Sequence, residues 1–249
     1  MNLRRLGFSL FTLAMVAVLI GLGVWQLQRR AEKHALIAAL DERLAAEPVA
    51  LPPPSQWNSL KAGSDEFRRV RLTAILLDLA ASGKVYASGS AVRDDISGPG
   101  KWEFVAALLE SGEIVAVNIG FRPDPAPNSP SGEGPFKRIV IRLPNQLTGY
   151  IRFPESAGVL TPSASVDQHL WFTRDHLAMA RALGWDRDGK AIAPFYIDLE
   201  SPELVPGVRP GPLHVRLKND HLQYAITWFG LAAVMTIAFG FWLHAQRRA

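Results

Sequence analysis

A chain of 249 residues that is 48% hydrophobic, carries a net charge of +4 and has no cysteine allows one or two domains. Without thiols, disulfides, thiolate catalysis and Cys-ligated zinc, copper or iron–sulfur centres are excluded. The basic surplus lacks the aromatic-interleaved stripe of a nucleic-acid binder and instead flanks two long apolar runs, which points to a lipid bilayer and away from nucleic acid.

Residues 1–5 form a short basic tail and residues 6–28 carry no charge. Two readings compete for this run: a signal peptide cut near Gly21-Leu22-Gly23, or a retained anchor. The run is longer than a signal core, and helix-compatible sequence continues through Arg29-Arg30 toward Ala46 without a breaker. A retained transmembrane helix over 6–28 is predicted. Pro48 and Pro52-Pro53-Pro54 stop the helix and favour extended chain.

The middle of the chain reads mainly as strand. Residues 69–74 alternate with period two, and 84–92 is a second candidate before the turn-rich 94–100. Residues 102–109 and 113–118 flank Ser111-Gly112 in a hairpin pattern. The Pro- and Gly-rich segment 122–135 is predicted as loop, 136–143 as strand and 147–153 as strand. Asp175 caps a short helix over 176–183 that Gly184 ends. A strand over 194–199, a linker over 205–212 and a final strand over 213–217 lead to a second uncharged run, 222–243. As a helix that run is about 33 Å long, enough to cross a hydrocarbon core.

The expected architecture is that of an α+β membrane protein, with two transmembrane helices flanking a mostly antiparallel β barrel or sandwich. Its parts are a tail (1–5), helix 6–28, an extracytoplasmic β domain (29–220), helix 221–244 and a second basic tail (245–249). Two spans put both termini on one side. The short basic tails favour termini inside and the β domain outside.

At the mouth of the second run stands Asn219-Asp220-His221-Leu222-Gln223-Tyr224-Ala225-Ile226-Thr227-Trp228. His221, Tyr224 and Trp228 fall on one helix face. From the residues alone this is either an aromatic belt at the headgroups or a ligand site. Other candidates carry less. His169 and His176 flank Asp175 at a spacing that fits no standard metal site and read as surface or capping residues. His244 reads as an interfacial anchor, and His34 and His214 have no partner pattern. Gly98-Pro99-Gly100-Lys101 fails as a phosphate loop and reads as a turn, and Asp94-Asp95 as solvated charge in a turn. No nucleophile-and-base pairing or nucleophile elbow is present, so an enzyme is not expected.

The two ends resemble the surfeit locus protein 1 family of cytochrome c oxidase assembly factors. Gly23-Val24-Trp25-Gln26-Leu27-Gln28-Arg29, followed by Lys33, is similar to the family's first motif; Asn219 to Trp228 is similar to its second. In the middle, Val117-Asn118-Ile119-Gly120-Phe121-Arg122-Pro123 departs from the family pattern, with Ile119 in place of an Arg and Phe121 in place of a Trp. The resemblance implies a bacterial inner-membrane protein with a periplasmic β domain. It also implies a non-enzymatic role in handling heme a or inserting it into subunit I of cytochrome c oxidase, with the heme a biosynthesis machinery as a further partner. Under this implication Trp25, Gln26, Arg29, His221, Tyr224 and Trp228 form the cofactor site, with His221 as the iron ligand. Imidazole suits iron, a guanidinium suits propionates, and indoles suit a flat macrocycle. The alternative is a membrane-tethered β domain that docks an extracytoplasmic partner without a cofactor.

Overall fold

The breaker-free N-terminal run folds into one helix, α1 (Leu3–Ala45), which ends just before Pro48. The C-terminal run forms α4 (His221–Arg248). The structure, a computed structural model, describes residues 3–77, 82–90, 93–124, 145–214 and 219–248. The predicted strand 136–143 lies outside the described residues, as do most of 122–135 and residues 215–217 of the last predicted strand. The chain divides into two units, Met1–Ala39 with Leu217–Ala249, and Leu40–Arg216. The helical continuation of α1 thus carries residues 29–39 into the first unit, although the sequence places them with the β domain.

In the helical unit, α1 and α4 run antiparallel. Gln26 meets His221, a Cβ on Gly23 would stand 2.6 Å from the Phe229 ring, and Phe8 lies 4.8 Å from Trp242 between ring centroids. The missing side chain of Gly23 therefore leaves room for the Phe229 ring to lie against α1. The contacts extend over about 30 Å at 1.5 Å per residue. Leu6–Ala45 and His221–Gln246 are both long and apolar enough to cross a membrane.

The second unit is built on one mixed sheet of eight strands. These are β1 (Val49–Ala50), β2 (Arg69–Leu76), β3 (Gly83–Ser88), β4 (Pro99–Leu109), β5 (Ile114–Pro123), β6 (Asn145–Arg152), β7 (Leu170–Trp171) and β8 (Ile192–Ser201). Their order is β1-β2-β6-β8-β5-β4-β3-β7, with an additional β2–β4 pairing. Among the described residues five of the eight strand pairings are antiparallel, as expected, whereas β1–β2, β3–β7 and β5–β8 pair in parallel and make the sheet mixed. The β2–β4 pairing closes a circuit of hydrogen-bonded neighbours through β2, β6, β8, β5 and β4. All five of these strands send alternate residues into one core, for example Leu72, Val105, Val117, Ile151 and Ile197. The opposite face of β4 and β5 supplies Phe104, Ala106, Ile114 and Ala116 to a second core, where Met179, Ala180, Trp171 and Trp185 cover them. This double burial makes β4 and β5 nearly continuous apolar runs.

The β4–β5 hairpin pairs Leu108 with Ile114, and Gly112 takes φ +97° in its turn. The helix expected over 176–183 forms as α3 (His176–Leu183), after the single turn α2 (Ala62–Asp65). Asp175 Oδ1 accepts from the Ala178 amide at 2.9 Å, and Gly184 closes the helix at φ +69°. Three expectations fail. Pro99, Gly100 and Lys101 are strand residues of β4, because the strand starts before the turn chemistry ends. Arg122 and Pro123 extend β5. Residues 205–212 are packed chain, with Val205 and Val208 buried in the first core and Arg209 bridging Phe121.

Candidate functional site

His221 is the first residue of α4, and Gln26 sits on the facing stretch of α1. His221 Nδ1 and Gln26 Oε1 are 2.7 Å apart. An amide oxygen only accepts, so Nδ1 carries the proton and donates it. The neutral ring then has its lone pair on Nε2, the nitrogen able to ligate a metal. An orienting bond to the other ring nitrogen is the usual support of a metal-ligating imidazole.

Around this pair, Trp25 and Tyr224 are about half exposed and Trp228 is half-buried two turns along α4. The Arg29 guanidinium lies 6.0 Å from the Trp25 ring and forms an ion pair of 2.7 Å with Glu32. Both side chains of that pair are more than half exposed, so its strength is small. Asn219, two residues before His221, has both polar atoms of its amide buried without a partner. Such orphaned groups are costly unless something completes them. A cleft of about 410 Å³ at this end is lined by Asn219, Asp220, Leu222, Gln223, Ile226 and Thr227. By helical periodicity most of these residues lie on the opposite side of α4 from His221. Among the described residues, no group of three or more His, Asp or Glu side chains could hold a metal.

The second unit holds polar side chains that sequence reasoning missed. Arg152 on β6 donates to Asp198 Oδ2 on β8 at 2.8 Å and to Glu66 at 3.0 Å, and its guanidinium lies 4.5 Å from the Phe67 ring. Asn118 on β5 donates to Asp198 Oδ1 at 2.6 Å and accepts from the Gly120 amide. Burial opposes the Arg152 charge, but Tyr196, Asp198 and Glu66 outweigh it and hold the guanidinium more firmly protonated. These partners are 46 to 86 residues apart in the chain, and no local signal pairs them. Arg69 and Glu200 form a bidentate pair, at 2.7 and 2.9 Å. Arg93 is buried and held by Asp95, so Asp95 is a partner and not simply solvated charge.

His176 also corrects its surface or capping assignment. It is completely buried, and its Nε2 donates to the Ala193 carbonyl at 3.0 Å. The motif departures have a structural place as well: Ile119 belongs to the first core, and Phe121 packs edge-on against Trp102 in the second. Gly120 between them sits at φ +135°, and a Cβ there would stand 2.5 Å from the Arg209 carbonyl.

Comparison with known proteins agrees with this layout. The SURF1 family model matches residues 13–233. A Homo sapiens "Surfeit locus protein 1" is 31% identical over 231 residues, covering 86% of this chain and 70% of that protein. The Mus musculus protein of the same name is 31% identical over 240 residues, covering 90% and 71%. A Monosiga brevicollis "SURF1-like protein" is 28% identical over 246 residues, covering 95% and 86%. The match takes in most of α1, all eight strands and the first half of α4, and the chain belongs to the SURF1 family.

Proposed function

We propose that this chain is a membrane-anchored assembly factor for cytochrome c oxidase that handles heme a on its way into subunit I. Family membership supports the assembly role, through the resemblance drawn from both terminal motifs. The observation that carries the heme reading is the His221–Gln26 contact. It fixes the imidazole in the tautomer whose Nε2 lone pair is available.

The residues at this mouth fit such a group in kind. When bound, heme a brings an iron that takes an axial imidazole, two propionates and a flat apolar ring. His221 would hold the iron. Trp25, Tyr224 and Trp228 would offer aromatic surface. Arg29, released from its exposed pair with Glu32, would meet a propionate. No residue is assigned a catalytic step, and the role is non-enzymatic. The apolar helices would span a bacterial inner membrane, with the short basic tails inside and the sheet domain in the periplasm.

A second reading, docking of an extracytoplasmic partner without any cofactor, draws on two observations: Arg29 is already paired, and the cleft lies mostly across α4 from His221. The absorption spectrum separates the two. Full-length protein purified from cells that make heme a shows a Soret band under the first reading and none under the second.

A further inference from the structure

The second core is closed on one side by α3, and a titratable ring supplies a hydrogen bond from this helix to the sheet. His176 is the first residue of α3 and is completely buried. Its Nε2–H donates to the Ala193 carbonyl at 3.0 Å, next to β8 residues Phe195 and Tyr196, and its ring centroid lies 5.6 Å from that of Tyr196. Its Nδ1 is buried without a partner, and so is the Tyr196 hydroxyl. A proton added to Nδ1 would create a buried donor with no acceptor and a buried charge at the positive end of a helix, two unfavourable changes at one atom.

We infer that His176 makes α3 an acid-releasable cover: proton uptake by its imidazole undocks α3 from β8 and opens the second core locally, leaving the rest of the sheet closed. The charged groups around the ring do little to resist this. Asp175, the cap of α3, is the carboxylate beside it, but it is already engaged by the Ala178 amide. From β8 the facing titratable group is Tyr196, which burial keeps un-ionised; the Arg152–Asp198 and Arg174–Glu155 pairs act on Tyr196 from its flanks. Burial also lowers the readiness of His176 to take up a proton, against the weaker opposing pull of the Ala193 bond and Asp175. The undocking would be local because α3 contributes Met179, Ala180 and the partly buried Leu183 to the second core, with Met179 against Gly83, whereas the closed circuit of strands surrounds a separate core of its own. The surface uncovered would be apolar and would include Trp171, Phe104 and Tyr196.

Hydrogen exchange of the full chain in detergent micelles between pH 7.5 and 5 tests this, with rates corrected for the intrinsic effect of pH. Amides of α3 should lose up to about tenfold protection per pH unit below the ordinary histidine range, while β4 and β5 amides stay protected. His176→Gln, which keeps a donor for Ala193 and cannot charge, should abolish the pH dependence. Unchanged α3 protection at pH 5, the same dependence in His176→Gln, or parallel loss of protection in β4 and β5 would each overturn the inference.

Discussion

The two units handle polar groups in opposite ways. In the sheet domain a group of charged residues is buried and paired: Arg152 and Asp198 are each less than a tenth exposed and form a network of four residues with Asn118 and Glu66. In the helical unit the named side chains at the His221 mouth are half exposed, and only 17% and 6% of the apolar windows of α1 and α4 are buried. Burial of polar groups is costly unless each is satisfied, so the domain's network works as a structural fastening. Exposed groups around one orphaned amide and one free imidazole lone pair contribute little to folding and remain available to a ligand. Substitutions should therefore cost stability in the first region and function in the second.

The largest stability effect is expected at Asp198. Asp198→Ala leaves the Arg152 guanidinium buried with only Glu66 for charge compensation, a loss of about 3–5 kcal/mol. Chemical unfolding of the detergent-solubilised chain, followed by tryptophan fluorescence, measures it; a change below about 1 kcal/mol would remove the contrast between the two units. Next is Gly120→Ala, which adds a Cβ against the Arg209 backbone at a positive φ and should cost about 1–3 kcal/mol in the same assay. Asp175→Ala removes the cap of α3 and should cost about 1 kcal/mol, visible as faster amide exchange at Ala178. The smallest effect is expected in the helical unit: Arg29→Gln breaks an exposed pair and should change stability by at most about 1 kcal/mol while still lowering any heme content. A larger stability loss there than at Asp175 would reverse the order.

What was legible in the sequence was local. The β4–β5 hairpin announced itself through two apolar runs around Ser111-Gly112, and α3 through a cap at each end, Asp175 and Gly184. α1 was readable to its last turn because nothing breaks it before Pro48. The parallel pairing of β5 with β8 was not readable, since it depends on which distant strand reaches the edge of β5. The two-residue strands β1 and β7 are too short to show a period. His176 was misplaced because its burial is imposed by Ala193 and Tyr196, residues with no sequence mark of proximity. Two spans with these mouths on one membrane side put His221 and Gln26 at one depth, whereas their hydrogen bond, across 195 residues, needed the structure.

The central claim is that His221 supplies the ligand nitrogen at this mouth. The direct measurement compares the heme a bound per protein, by Soret absorbance, in wild type, His221→Ala, Gln26→Ala and His244→Ala purified at equal yield from cells that make heme a. The account predicts loss of the band in His221→Ala, partial loss in Gln26→Ala because the imidazole is no longer oriented, and no change in His244→Ala at the other end of α4. Wild-type heme content and full oxidase activity in His221→Ala would contradict it, and would leave the tethered docking module as the account of this protein.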